Sequence, residues 1–226
     1  MLSMNITAPV VITIDGPSGS GKGTLCQMLA RHLKYHLLDS GALYRLVALA
    51  AINKGIDLCD EQAVSKVAAG LDVIFSLEDS ELPQILLEGI DVTEAIRQER
   101  TGMAASQIAA YPDVRIALLE RQRAFAVAPG LIADGRDMGT TVFPDAQVKL
   151  FLTASAEARA ERRFKQLCAK GESVEMSELI SDIHARDERD SSRSISPLKP
   201  SPDAIIIDST DMSIDEVFTK MLAAIR

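Results

Sequence analysis

Lys22 follows the loop Gly16-Pro17-Ser18-Gly19-Ser20-Gly21, and Gly23 and Thr24 follow it in turn, so that the spacing is that of G-x-x-x-x-G-K. Glycines at such positions let the backbone curl until its N–H groups converge on phosphate oxygens. A helix starting behind the loop adds its dipole, and the lysine adds a mobile point charge. The β-branched run from Val10 to Ile14 leads into the loop and helical spacing follows it, which is the bracketing a phosphate site needs. In many such loops a hydroxyl residue directly follows the lysine. Here Gly23 takes that place and the hydroxyl comes one later, at Thr24. The chain is expected to bind a nucleotide.

The remaining chemistry is carried by arginines and a few carboxylates. Arg159, Arg162, Arg163, Lys165 and Lys170 surround a single acid, Glu161, and form either a positive patch or a solvated helix face. They follow a core strand, and a bound polyphosphate needs its charge neutralised. Arg186, Asp190 and Arg193 fall at i, i+4 and i+7 of a helical stretch, on one side, where the alternative is a ladder of surface ion pairs. Arg45 and Arg136 are expected at strand or loop ends, offering guanidinium forks for bidentate contact with phosphate. Asp134 ends an apolar strand, where nucleoside triphosphatases hold magnesium directly or through water, and Asp137 is placed to accept hydrogen bonds from a substrate. A phosphate monoester is largely dianionic at pH 7, so such an acceptor requires no general base. Many arginines beside unpaired histidines (His32, His36, His184) fit catalysis by positioning and neutralisation.

The elements that must position these groups alternate. Leu25, Met28, Leu29 and Leu33 recur at helical spacing; Leu37-Leu38 reads as a strand cut off by Asp39-Ser40-Gly41; Tyr44, Val47, Ala48 and Ala51 resume a helix. That order predicts a parallel sheet with right-handed crossovers and binding residues at the carboxyl ends of its strands. After a short helix over 60–70 the texture changes. Val73, Phe75 and Leu77, then Ile85 and Leu87, alternate around turn signals at Glu78-Asp79-Ser80 and Glu88-Gly89, which predicts a small antiparallel sheet. Helical patterning returns from Gly102 to Ala128, with Pro112 opening a new helix. Gly130–Asp134, Val148–Leu152 and Ala204–Ile207 complete the core strands, and a helix from Asp215 to Ile225 closes the chain.

Composition narrows the class. Of 226 residues 47% are apolar and 25% charged, as in ordinary soluble domains. The net charge of −8 speaks against a nucleic-acid surface while leaving room for a local basic pocket. Cys26, Cys59 and Cys168 are odd in number and far apart, which fits reduced thiols. No apolar run reaches membrane-spanning length, and Met1 to Pro9 lacks the layout of a signal peptide. A cytoplasmic protein without membrane partners is expected.

The chain resembles the bacterial cytidylate kinases of the nucleoside monophosphate kinase family. Beyond the loop, the matching runs are Leu38-Asp39-Ser40-Gly41-Ala42-Leu43-Tyr44-Arg45, Ala105-Ser106-Gln107 with Val114-Arg115, Asp134-Gly135-Arg136-Asp137-Met138-Gly139-Thr140, and Arg186-Asp187-Glu188-Arg189-Asp190. The loop is shared by many nucleotide enzymes; the Asp-Gly-Arg-Asp-Met-Gly and Asp-Ser-Gly-Ala-x-Tyr-Arg runs are much more specific. The resemblance implies an α/β fold of the P-loop nucleoside triphosphate hydrolase type, with a five-stranded parallel sheet flanked by helices and a small inserted antiparallel sheet. It implies one kinase unit over 1–226, with the insert at 71–100 and a lid at 155–171.

The implied activity is magnesium-dependent transfer of the ATP γ-phosphoryl group to CMP or dCMP by a monomer. Carried over by position, Gly16, Pro17, Ser18, Gly19, Ser20, Gly21, Lys22, Gly23 and Thr24 would bind ATP, and Lys22, Arg136, Arg162 and Arg163 would act in the transfer. Arg45, Arg136 and Arg193 would hold the acceptor phosphate. Ser106, Arg115 and Asp137 would read the cytosine, Arg186 and Asp190 the ribose, and Ser40 and Tyr44 would share the same pocket. Metal coordination would fall to ATP oxygens, water and either Thr24 or Asp134. The competing expectations are a nucleotide-dependent switch, or the same fold acting on UMP, AMP or shikimate. A hydroxyl acceptor would want a base beside it, which the arginine surplus does not supply.

Overall fold

Val10–Asp15 forms β1, buried from Val11 onward, because strands flank it on both sides and its β-branched side chains meet core above and below. The structure is a computed structural model and describes residues 8–76, 84–169, 171 and 173–225. After β1 come α1 (Lys22–Leu33), β2 (His36–Asp39), α2 (Ser40–Asn53), α3 (Glu61–Ala69), β3 (Val73–Ser76), β4 (Gln84–Leu87) and β5 (Ile90–Asp91). A 3-10 turn (Ala95–Arg97), α4 (Glu99–Ile108), α5 (Pro112–Arg123), β6 (Gly130–Gly135), a π turn (Met138–Val142) and β7 (Val148–Thr153) follow. The chain ends with α6 (Ala156–Ala169), α7 (Met176–Ser191), β8 (Ile205–Asp208) and α8 (Ile214–Ile225).

The chain divides into two compact units, one running up to Asp39 and resuming at Gln122, the other Ser40–Arg121. The first holds the expected five-stranded parallel sheet, in the order β2-β6-β1-β7-β8. Its register sets Ile14 opposite Asp134, Asp15 opposite Gly135 and Asp39 opposite Asp134, so three carboxylates gather at the carboxyl ends of neighbouring strands. Ile12, Ile14, Leu25, Leu29, Ile132, Leu150, Leu152, Val217 and Met221 form the core between the sheet, α1 and α8. Each such side chain contributes about 1.5–3 kcal/mol on burial. A smaller apolar cluster of Ala156, Ala160 and Ile183 joins α6 to α7.

In the second unit α2 is buried along most of its length and packs on α4. The antiparallel sheet β3-β4-β5 stands where alternation predicts it, with Val73 paired to Leu87 and Phe75 to Ile85. Leu77 and the expected turn at Glu78-Asp79-Ser80 lie outside the described residues, as does Lys170. Among the described residues no helix is long and apolar enough to cross a membrane.

Three expectations are corrected. Arg45 lies inside α2, not at a strand or loop end, because the helix starts at Ser40 directly after β2. Arg193 lies beyond α7, not on one helix with Arg186 and Asp190: the Ser192 N–H closes on Glu188 O at 2.9 Å, and Leu198 N–H returns to Asp190 O at 2.8 Å as the chain turns away. The last stretch of the pattern to Ala128 is not helical, since α5 stops at Arg123.

Candidate active site

The glycines of the loop are demanded by geometry. Gly16 has φ 147°, and a Cβ there would stand 1.9 Å from the Leu152 carbonyl oxygen of β7, so only glycine permits this approach. Gly19 and Gly21 hold left-handed φ values of 75° and 91°. Several loop carbonyls are taken up by protein donors. Pro17 O accepts Ser20 Oγ at 3.0 Å and Lys22 Nζ at 2.8 Å, Ser18 O accepts Arg159 Nη1 at 3.1 Å, and Ser20 O accepts Arg162 Nη1 at 3.4 Å. No side chain caps α1 at Gly21, which leaves the helix N-terminus for an anion to satisfy.

Lys22 is buried. Burial lowers its pKa and Arg136 lowers it further, against the pull of Asp134. Burial pushes the Asp134 carboxyl up, with Lys22 opposing and Asp39 adding to the rise. A Cβ on Gly23 would lie 3.8 Å from Asp134 Oδ2, so the acid stands against the first turn of α1, where Thr24 is exposed. Among the described residues no group of three His, Cys, Asp or Glu side chains could hold a metal. One carboxylate beside a phosphate loop is nonetheless a fitting donor set for magnesium, which keeps waters and binds substrate phosphates.

Asp15 has a role that its sequence setting only hints at, through its place at the end of the central strand. Its carboxylate accepts the N–H groups of Met138 and Gly139, each at 2.8 Å, and so fixes the π turn that begins beside Asp137. Burial pushes its pKa up to about 6, against those two hydrogen bonds.

At the end of α7, buried Asp190 accepts Arg136 Nε at 2.9 Å and an Arg193 Nη2 hydrogen bond on its other oxygen. Burial would raise this carboxyl, yet Arg136, Arg193 and Arg186 together hold it below the usual range. Arg136, Arg186, Asp190 and Arg193 are thus brought together, and buried Asp137 directly follows Arg136.

The second unit carries its own cluster. Arg45 Nη1 donates to Ile96 O at 2.7 Å and Gln98 O at 3.2 Å, with Gly102 of α4 directly under its guanidinium. Arg115 stacks over the Tyr44 ring, 5.7 Å from its centroid, and donates to Ala109 O at 3.0 Å. Ser106, one turn after Gly102, is buried with its Oγ lacking a hydrogen-bond partner, the kind of atom a ligand satisfies. Ser40 is buried at the start of α2. The need for Gly102 was hidden in the sequence because it arises from a side chain far along the chain.

The basic stretch on α6 is neither one open patch nor one solvated face. Arg159, 3% exposed, points inward to a bidentate ion pair with Asp187. Arg162 donates to Ser209 O and to Ser209 Oγ at 3.2 Å, Arg163 is half-buried, and Lys165 pairs with Glu161 in solvent at 2.8 Å. Among the histidines, His32 packs edge-on against Phe218 and His36 Nε2 lies 3.0 Å from Ala128 O.

The sequence profile described as cytidylate kinase matches residues 12–226. The chain belongs to the cytidylate kinase family. A cytidylate kinase of Aliivibrio salmonicida is 58% identical over 223 residues, covering 99% of each chain. Those of Pseudomonas paraeruginosa and Pseudomonas fluorescens (strain Pf0-1) are 60% and 59% identical, covering 95% and 98% of this chain and 93% and 97% of their own. The family match therefore takes in the loop, the Asp190 cluster and the whole second unit.

Proposed function

We infer that this protein transfers the γ-phosphoryl group of ATP to CMP or dCMP, giving ADP and CDP or dCDP. The observation that carries the reading is the cluster at Asp190, where Arg136, Arg186 and Arg193 gather about one buried carboxylate in the unit that also holds the phosphate loop. Concentrated guanidinium charge suits a second phosphate as acceptor. Membership of the cytidylate kinase family supports a cytidine monophosphate as that acceptor.

In this reading the loop from Gly16 to Thr24 cradles the ATP phosphates, and Lys22 exchanges Pro17 O for a phosphate oxygen. The incoming negative charge offsets the burial that lowers its pKa. An oxygen of the acceptor phosphate attacks Pγ as the bond to the ADP oxygen breaks. The acceptor is already dianionic, so no proton need be removed first. Within the first unit Arg136 and Arg193 hold the acceptor phosphate, Asp137 reads the base, and Arg186 and Asp190 take the ribose. Within the second, Arg45 serves the phosphate, Ser106 and Arg115 the base, and Ser40 and Tyr44 line the same subsite. The orphaned Ser106 Oγ supports its part.

Magnesium would be held by ATP oxygens, water and Asp134 or Thr24, and would neutralise charge on the phosphates. Residues 155–171 act as the lid, with Arg162 and Arg163 turning to the transferring group on closure. Following the family resemblance, the protein works as a cytoplasmic monomer.

A coupled assay of ADP formation with CMP, dCMP, UMP and AMP tests the reading. ADP release should rise strongly with CMP or dCMP and little with the others. No stimulation by either cytidine nucleotide would sink it.

A further inference from the structure

Arg159 is the most deeply buried arginine on α6, and its guanidinium is turned to protein partners. Its Nη1 and Nη2 form the fork on Asp187, at 2.9 and 2.5 Å, while Nη1 also donates to Ser18 O at 3.1 Å and Nε to Ala154 O at 3.0 Å. The contact is close on the loop side as well, for a Cβ on Gly19 would meet Arg159 Cβ at 3.3 Å. One guanidinium thus bonds to the end of β7, the phosphate loop and α7 at once.

The peptide that joins Ser18 to Gly19 has its carbonyl on Arg159, so its N–H is directed to the opposite side. A cation on the carbonyl also polarises that N–H, which makes it a stronger donor to an anion. Asp187 lies between Arg186 and Asp190 on α7 and supplies the counter-charge that keeps Arg159 in place. We propose that Arg159 and Asp187 are positioning residues: Arg159 braces the phosphate loop from behind through Ser18, and Asp187 anchors that brace to α7. The proposal rests on reading the loop as the ATP site. It gives Arg159 a role distinct from that of a lid residue reaching for the transferring phosphate.

Two variants of the full chain test it, read by direct binding of a non-hydrolysable ATP analogue and by the KM for ATP and for CMP. Arg159→Lys keeps a charge for Asp187 but cannot also reach Ser18 in the same fork geometry. The double variant Arg159→Met with Asp187→Leu replaces the pair by apolar groups, a change often tolerated by stability. In both, analogue binding should weaken about tenfold or more, the scale of a hydrogen bond to a charged group, and the KM for ATP should rise in step. The KM for CMP and the melting temperature should move far less. Binding within twofold of wild type in either folded variant overturns the brace, and loss of folding in both assigns the pair to stability alone and overturns it too. A wild-type chain that binds the analogue but ignores CMP would defeat the proposed acceptor while leaving this comparison intact.

Discussion

Arg136 Nε donates to Asp190 Oδ2 at 2.9 Å, joining the carboxyl end of β6 to the end of α7. Asp190→Asn keeps the shape of the side chain and removes the charge that both Arg136 and Arg193 use. Breaking a buried pair from one side costs about 3–5 kcal/mol, which urea denaturation at neutral pH should register. The KM for CMP should rise by an order of magnitude or more, with the KM for ATP nearly unchanged. A parallel loss of ATP affinity would make this end of α7 structural. The folded-state pKa of Asp190 is depressed, so its contribution is complete above the ordinary carboxylate range and disappears as pH falls through that folded pKa. Wild type and Asp190→Asn should therefore converge in stability in acid.

Asp15 predicts the opposite slope. Burial places its folded-state pKa at about 6, above the 3.8 of an ordinary aspartate. Between those values the folded chain binds more protons than the unfolded one, so stability falls as pH rises through the window, by about 3 kcal/mol at most. Asp15→Asn does not titrate. It leaves either Met138 N–H or Gly139 N–H facing an amide NH2, so it lacks the pH slope but loses one acceptor. The stability difference between wild type and Asp15→Asn, measured at pH 4.5 and 7.5, should shift in the variant's favour at the higher pH. A difference independent of pH would mean that Asp15 titrates normally.

Lys22→Met separates chemistry from folding. The lysine is buried at a cost that lowers its pKa, and methionine fills a similar volume without charge. Thermal stability should hold or rise, while transfer from ATP falls by about a hundred- to a thousandfold, as for removal of a main electrostatic contact to the transferring group. CMP binding, measured by calorimetry, should persist. Loss of both would show that donor and acceptor binding are not separable.

What was legible in the sequence was what depends on neighbours along the chain. The period of the apolar residues gave the strands and helices of the sheet, and the glycine spacing gave the loop. The parts that escaped depend on partners brought in from elsewhere. Arg159 read as one charge in a basic run because Asp187, which draws it inward, is in another helix. Arg193 read as helical because residues 186–193 keep the helical spacing, whereas the chain leaves α7 at Ser191 and still delivers the guanidinium to Asp190. The π turn at Met138–Val142 has no period of its own and is held by Asp15, more than a hundred residues earlier.

Gly102 sits inside α4, where alanine would ordinarily stabilise the helix by about 1 kcal/mol. Here a Cβ would stand 2.7 Å from Arg45 Nη2 and 3.0 Å from its Cζ. The clash is with the far end of a flexible side chain, so Gly102→Ala should fold, with a melting temperature close to wild type. Arg45 must then leave Ile96 O and Gln98 O, the two carbonyls that fix its direction. The KM for CMP should rise about tenfold, as for loss of one charge-assisted contact, and the KM for ATP should stay put. A double-mutant cycle with Arg45→Ala decides the route. If Gly102→Ala acts through Arg45, it adds nothing once Arg45 is gone, whereas additive losses would assign the effect to other contacts of α4.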